Sequence, residues 1–219
     1  KHEIRKFLGD KPVTALFIPY AAVTFSYDTY CEKVEERFSE IGHHIVGIHT
    51  FADPVQAVHK AEAIVVGGGN TWQLVRMLHE NNLMNPIREK VFSGVPYIGW
   101  SAGANVACPT LRTTNDMPIV DPKGFECTGL IPFQINPHYL DAHPEGHGGE
   151  TREQRIQEFI EINPDVFVAG LREGTMFKVE NKKLTLVGNK TCRIFKKGQE
   201  PRELSATDDF SFLCCDRLF

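Results

Sequence analysis

The stretch Val95-Pro96-Tyr97-Ile98-Gly99-Trp100-Ser101-Ala102-Gly103-Ala104-Asn105-Val106-Ala107-Cys108-Pro109 decides the reading of this chain. Residues 95–99 form a short apolar run suited to a buried strand, and 102–108 form a short helix cut off by Pro109. Between them lies Gly99-Trp100-Ser101-Ala102-Gly103. This is a G-x-S-x-G sequence in the strand-to-helix context that gives the pattern its chemical meaning. Small residues at 99 and 103 permit a tight turn. That turn lifts the Ser101 hydroxyl above the sheet edge and points it at a helix N-terminus. The N–H of Ala102 is then free to meet a developing oxyanion.

The same alternation extends on both sides. Residues 13–18, 45–48 and 63–66 read as strands. Tyr30, Val34, Phe38 and Ile41 recur at helical spacing before Gly42, and Asp53-Pro54 marks a helix start. Leu74, Val75 and Leu78 mark another helix, and Asn85-Pro86 opens a further one. Strands separated by such helices predict an α/β fold with a mostly parallel sheet covered by helices on both faces. Downstream, 112–125 is a polar loop, 133–136 a further strand and 138–149 a Gly- and His-rich loop. Thr151 and Gln154 form a capping box for a helix bearing Ile156, Phe159 and Ile160. Residues 166–169 read as a strand. Residues 176–179, 184–187 and 193–195 read as short antiparallel strands. No linker interrupts the pattern, so 1–219 is expected to be one α/β domain.

Composition excludes several classes. At 219 residues, with 42% hydrophobic and 24% charged residues, the chain is of ordinary globular make-up rather than disordered. The formal net charge is −4 and no Lys/Arg block stands out, which disfavours nucleic acid as a partner. No apolar run is long enough to span a bilayer, and residues 1–6 carry no signal-peptide h-region, so no membrane partner is expected. The six cysteines include no C-x-x-C pair and are too sparse for a disulfide scaffold. Reduced thiols in a cytoplasmic protein are the expectation.

A serine nucleophile requires a base. Of the nine histidines, His138 is the best placed, directly after the strand at 133–136 and so at a sheet edge. The base requires a carboxylate. Asp116, in the polar loop, and Glu173, after the strand at 166–169, both qualify, and the residues alone leave the choice open. Gly67-Gly68-Gly69-Asn70 follows another strand. It lacks the Gly-Lys-Ser/Thr of a P-loop, and Trp72 stands where a dinucleotide fingerprint needs its third glycine. Its backbone amides can face the same edge as Ser101, making Gly68 and Gly69 oxyanion-hole candidates. His138, His143 and His147, with Asp141 and Glu145, match no zinc spacing, so no metal is expected.

Taken together, these segments resemble the S51 family of serine peptidases, the α-aspartyl dipeptidases. The resemblance runs from about Ala15 to Phe195. It rests on 66–71, 99–105, 107–110 and 112–122, then on 134–138, 144–147 and 149–155. It implies a fold akin to the class I glutamine amidotransferases and a cytoplasmic enzyme that cleaves dipeptides with N-terminal aspartate. It also implies no cofactor, Ser101 as nucleophile and His138 as base, with Asp116 and Glu173 both at positions proposed for the third member. The expected substrate contacts are Asn70 and Arg152. Arg152 is chosen because a guanidinium fork matches a carboxylate and because it lies in Gly149-Glu150-Thr151-Arg152. Family members usually carry an apolar strand ahead of the region that begins here at Lys1, which leaves one sheet edge in question. The rival expectations are another hydrolase on the same turn, such as an esterase or a cyanophycinase-like peptidase, and a non-catalytic small-molecule binder. Oligomeric state is not legible.

Overall fold

The computed structural model describes residues 1–141, 146 and 148–214. A first sheet consists of β1 (Thr14–Ile18), β2 (His44–Gly47), β3 (Ile64–Val66) and β4 (Tyr97–Gly99), all parallel, in the order β2-β1-β3-β4. Its two faces are separated by the alternation of β1. Leu16 and Ile18 pack with Ile64, Val66, Leu74 and Leu78, on the side of α3 (Pro54–Lys60), α4 (Thr71–Glu80), α5 (Met84–Phe92) and α6 (Ala102–Ala107). Ala15 and Phe17 pack with Val65, Val34 and Phe38, on the side of α1 (His2–Leu8) and α2 (Tyr27–Ser39). Local chemistry sets the helix starts. Ser26, Asp53, Asn70 and Thr151 each accept a backbone N–H with the side chain at an N-cap.

A second sheet follows. β5 (Gln134–Pro137) and β6 (Val168–Leu171) run parallel, whereas β9 (Cys192–Phe195) and β10 (Arg202–Leu204) add antiparallel in the order β10-β9-β6-β5. α7 (Arg152–Ile162) connects β5 to β6, and its Ile156 and Ile160 pack against Val168 and Phe195. β7 (Met176–Glu180) and β8 (Lys183–Val187) form a separate hairpin turned by Asn181 and Lys182, both at positive φ.

The expected helix-covered parallel sheet is present, and the strands expected near 176, 184 and 193 are antiparallel. The parallel strands are divided between two sheets. Among the described residues no strand pairs with the outer side of β4 or of β5. Both strands line one cavity of about 680 Å³. Helix α6 spans the two sheets: Asn105 Nδ2 donates to the Ile135 carbonyl at 2.9 Å. β6 begins two residues later than its apolar run suggests, because Val166 N–H closes a turn on the Asn163 carbonyl. The strand therefore extends to Leu171 and delivers Arg172 and Glu173 to the sheet edge. α1 and β10 have no clear periodicity and were not expected.

Candidate active site

Ser101 sits between β4 and α6 with φ 54° and ψ −112°, a conformation that costs a non-glycine residue strain. The flanking glycines make the turn possible. A Cβ on Gly99 would lie 2.5 Å from the Gly103 carbonyl oxygen, and a Cβ on Gly103 would lie 2.3 Å from that of Val66. The helix can approach β3 this closely only without those side chains. Tyr97 OH ties the turn further by donating to the Gly103 carbonyl at 2.6 Å. Ala102 is the first helical residue, so its N–H has no partner within the helix.

The Gly67–Asn70 turn adjoins this serine. A Cβ on Gly68 would come within 3.0 Å of the Ser101 Cβ, and Tyr30 OH holds the Gly68 carbonyl at 3.0 Å. Gly69 lies at φ 137°, with its α-carbon against the Ala21 carbonyl. Asn70, expected at the substrate, bonds within the protein. Its Oδ1 caps α4 by accepting from Gln73 N–H, and its Nδ2 donates to the Met117 carbonyl. Both polar ends of the side chain are already engaged.

His138 leaves the end of β5 with φ 54°, and its Nδ1 bonds Glu173 Oε1, which follows the end of β6. β5 and β6 are neighbours in parallel register, Pro137 beside Leu171, so the two residues emerge side by side. Ser101, His138 and Glu173 all line the same cavity, which is walled by apolar side chains including Ile98, Ile135 and Leu171. Asp116 has other partners. Its Oδ2 accepts from Thr71 N–H at 2.7 Å, from Thr71 Oγ1 at 2.6 Å and from Thr114 Oγ1 at 3.1 Å. It is anchored to the N-terminus of α4, where a negative charge is favoured.

Arg152 opens α7. Burial, with the like charge of Arg155, lowers its pKa, while the negative charge of Asp116 acts in the opposite sense. Among the described residues no carboxylate lies within 4.0 Å of Arg152. Arg155, by contrast, pairs with Glu150 and Arg112 lies over the Phe125 ring. His143, Glu145 and His147, weighed above as metal ligands, lie outside the described residues, as does the 144–145 part of the resemblance. Among the described residues there is no group of three or more His, Cys, Asp or Glu that could hold a metal ion. No helix among them is long and apolar enough to cross a membrane.

Several supports of the site had no local signal. Cys108 Sγ accepts from Ile135 N–H at 3.2 Å, and burial pushes its thiol up to about 12, so it stays protonated beside the strand. Thr113 Oγ1 donates to the Ile135 carbonyl, Asn115 Nδ2 to the Pro137 carbonyl and Asn136 Nδ2 to the Thr113 carbonyl. The polar loop thus fixes the strand end that carries His138. The clustering of Thr, Asn and Asp in that loop was the available hint; their partners lie more than twenty residues away.

Comparison with known proteins gives the family. The family model described as Peptidase family S51 matches residues 1–187. Peptidase E of Nostoc sp. is 51% identical over 213 residues, covering 97% of this chain and 88% of that protein. Peptidase E of Salmonella arizonae is 51% identical over 197 residues, covering 90% and 86%. Among solved structures, a Listeria monocytogenes EGD-e protein described as a peptidase E superposes with a TM-score of 0.62 at 23% identity, covering 81% of this chain and 86% of that one. A peptidase from an acI-B1 actinobacterium superposes with a TM-score of 0.64 at 20% identity, covering 96% and 90%. A family match over most of the chain, relatives at half identity and a serine on a strained strand-to-helix turn lead to one conclusion: the chain is a serine peptidase belonging to family S51.

Proposed function

We propose that this peptidase is an α-aspartyl dipeptidase, cleaving Asp-X dipeptides through a Ser101–His138–Glu173 triad. The observation that carries the reading is the His138 Nδ1–Glu173 pair on the wall of the cavity that Ser101 also lines. Glu173 fixes the imidazole so that Nε2 faces the serine. Ser101 Oγ attacks the peptide carbonyl carbon while His138 Nε2 takes the hydroxyl proton. The carbonyl oxygen becomes an oxyanion held by the amides of Ala102 and of Gly68 or Gly69. The C–N bond then breaks, His138 gives its proton to the leaving amine, and an acyl-enzyme remains. Water, deprotonated by His138, attacks the ester and releases aspartate.

Arg152 is assigned to the substrate's β-carboxylate, a role supported by its partly desolvated guanidinium, which no carboxylate among the described residues pairs, and by its coulombic interaction with Asp116. Asp116 positions α4 and faces Arg152, and Asn70 shapes the loop instead of meeting substrate. The reading needs no cofactor, treats the 219 residues as one domain and places the enzyme in the cytoplasm. Cys31, Cys108, Cys127 and Cys192, all outside disulfides, accord with a reducing compartment.

A dipeptide panel tests the assignment. Asp-Leu should be cleaved far faster than Asn-Leu, Glu-Leu or Ala-Leu. Arg152→Ala should lower kcat/KM for Asp-Leu by about 2–4 kcal/mol, the range for breaking a desolvated charge pair. Asn-Leu, lacking the charge, should lose much less. Equal losses on both substrates would remove Arg152 from the aspartate site, and indifference of the wild type to the first residue would remove the aspartyl specificity.

A further inference from the structure

The His138–Glu173 pair is exposed: the side chains are 50% and 67% accessible. An ion pair in that setting contributes little and does not by itself hold two side chains in one geometry. Yet the chemistry needs His138 fixed to within a fraction of an ångström. Something else must hold the pair, and the neighbouring residue offers it.

Arg172 directly precedes Glu173, and its side chain is only 13% accessible. Its Nε donates to Asp141 Oδ2 at 2.9 Å and Nη2 donates to Asp141 Oδ1. Nη1 and Nη2 donate to the two oxygens of Glu203, each at 2.9 Å, and Nη1 also meets the Thr191 carbonyl and hydroxyl. Every donor of the guanidinium fork is engaged, in the paired geometry that makes such contacts directional. The guanidinium also lies over the Tyr139 ring, 5.5 Å from its centre. Asp141 lies three residues after His138, and Glu203 lies on β10 at the far side of the sheet. The Arg172 carbonyl accepts from Thr175 N–H and Oγ1, closing the turn that presents Glu173, with Gly174 at φ 84°. One mostly buried side chain, on the segment before Glu173, therefore bonds the segment after His138 and the outer strand of the sheet.

We propose that Arg172 is a positioning residue for the peptidase reaction: clamped by Asp141 and Glu203, it joins the chain carrying His138 to the chain carrying Glu173 and keeps the pair in register. Arg172 is given no contact with the reacting atoms and acts through the His138–Glu173 contact that it holds together. Asp141 is the cross-chain half of the clamp, and Glu203 anchors it to the sheet. The inference rests on the triad reading above.

The test is a double-mutant cycle on Asp-Leu hydrolysis with Arg172→Met, Asp141→Asn and Glu173→Gln. Arg172→Met and Asp141→Asn should each lower kcat by about tenfold or more, as misplacement of a catalytic group does, with KM within about twofold of wild type. In the Glu173→Gln background neither should lower kcat by more than about twofold, because the His138–Glu173 contact they hold is already lost. A purely structural contribution would instead subtract equally in both backgrounds and would move KM as well. Asp141→Asn alters an exposed, near-isosteric side chain, so it decides the matter if Arg172→Met does not fold. A near-normal Glu173→Gln enzyme would overturn the triad reading itself. A crippled Glu173→Gln enzyme beside unimpaired Arg172 and Asp141 variants, or losses that add in full, would overturn the clamp alone.

Discussion

At the scale of single residues, the two candidate carboxylates separate by what they touch. Among the described residues Glu173 meets the exposed His138 ring, whereas Asp116 accepts three hydrogen bonds at the head of α4. Their variants should therefore fail in opposite ways. Glu173→Gln should lower kcat by about 10³–10⁴, as loss of a triad carboxylate does, and leave thermal stability nearly unchanged. Asp116→Asn should cost about 1–2 kcal/mol of stability through the lost cap and hydrogen bonds, with the smaller effect on kcat. Parallel kinetics and thermal melts check both, and the reverse pattern would give the orienting role to Asp116. The sequence made both residues candidates, Glu173 by its place after a strand and Asp116 by its place in the polar loop. It could not choose, since the choice depends on which strand lies beside β5, a pairing made across more than thirty residues.

At the scale of elements, the legible parts are those that local chemistry dictates. The turn around Ser101 could be read from Gly99 and Gly103 because close backbone approach admits no side chain there, and the Thr151–Gln154 box announced α7. β10 escaped notice because Arg202-Glu203-Leu204 has one apolar residue and is held largely by charge. That origin makes the strand sensitive to pH. Hydrogen bonds from Arg172, then from Thr191 and Arg193, hold the Glu203 carboxyl down at about 2, against roughly 4.3 for an unperturbed glutamate. A depressed carboxylate stabilises the fold fully above the unfolded value and loses that contribution as pH falls towards the folded one. The wild type should thus lose thermal stability between pH 5 and pH 3. Glu203→Gln should begin about 1 kcal/mol less stable at pH 5, a small value because the carboxylate is more than a third exposed. The gap should close as pH falls; melting curves that stay the same distance apart would show that Glu203 does not carry the effect.

At the scale of the whole molecule, two sheets meet at α6, and the site is assembled where their carboxyl ends converge. Ser101 comes from the first sheet, and His138 with Glu173 from the second. Alternating strands and helices made the parallel architecture legible, and short turn-bounded strands made the antiparallel additions legible. The division of strands between sheets was not, because periodicity reports which face is buried and says nothing of which edges meet. The proposed mechanism stands or falls with Ser101, held above the edge at positive φ, as the nucleophile. Turnover of Asp-Leu by folded Ser101→Ala tests it most directly. The kcat should fall by at least about four orders of magnitude, since a triad without its nucleophile retains only the catalysis of the oxyanion hole and of binding. A correctly folded variant that keeps a tenth of the wild-type kcat would contradict it.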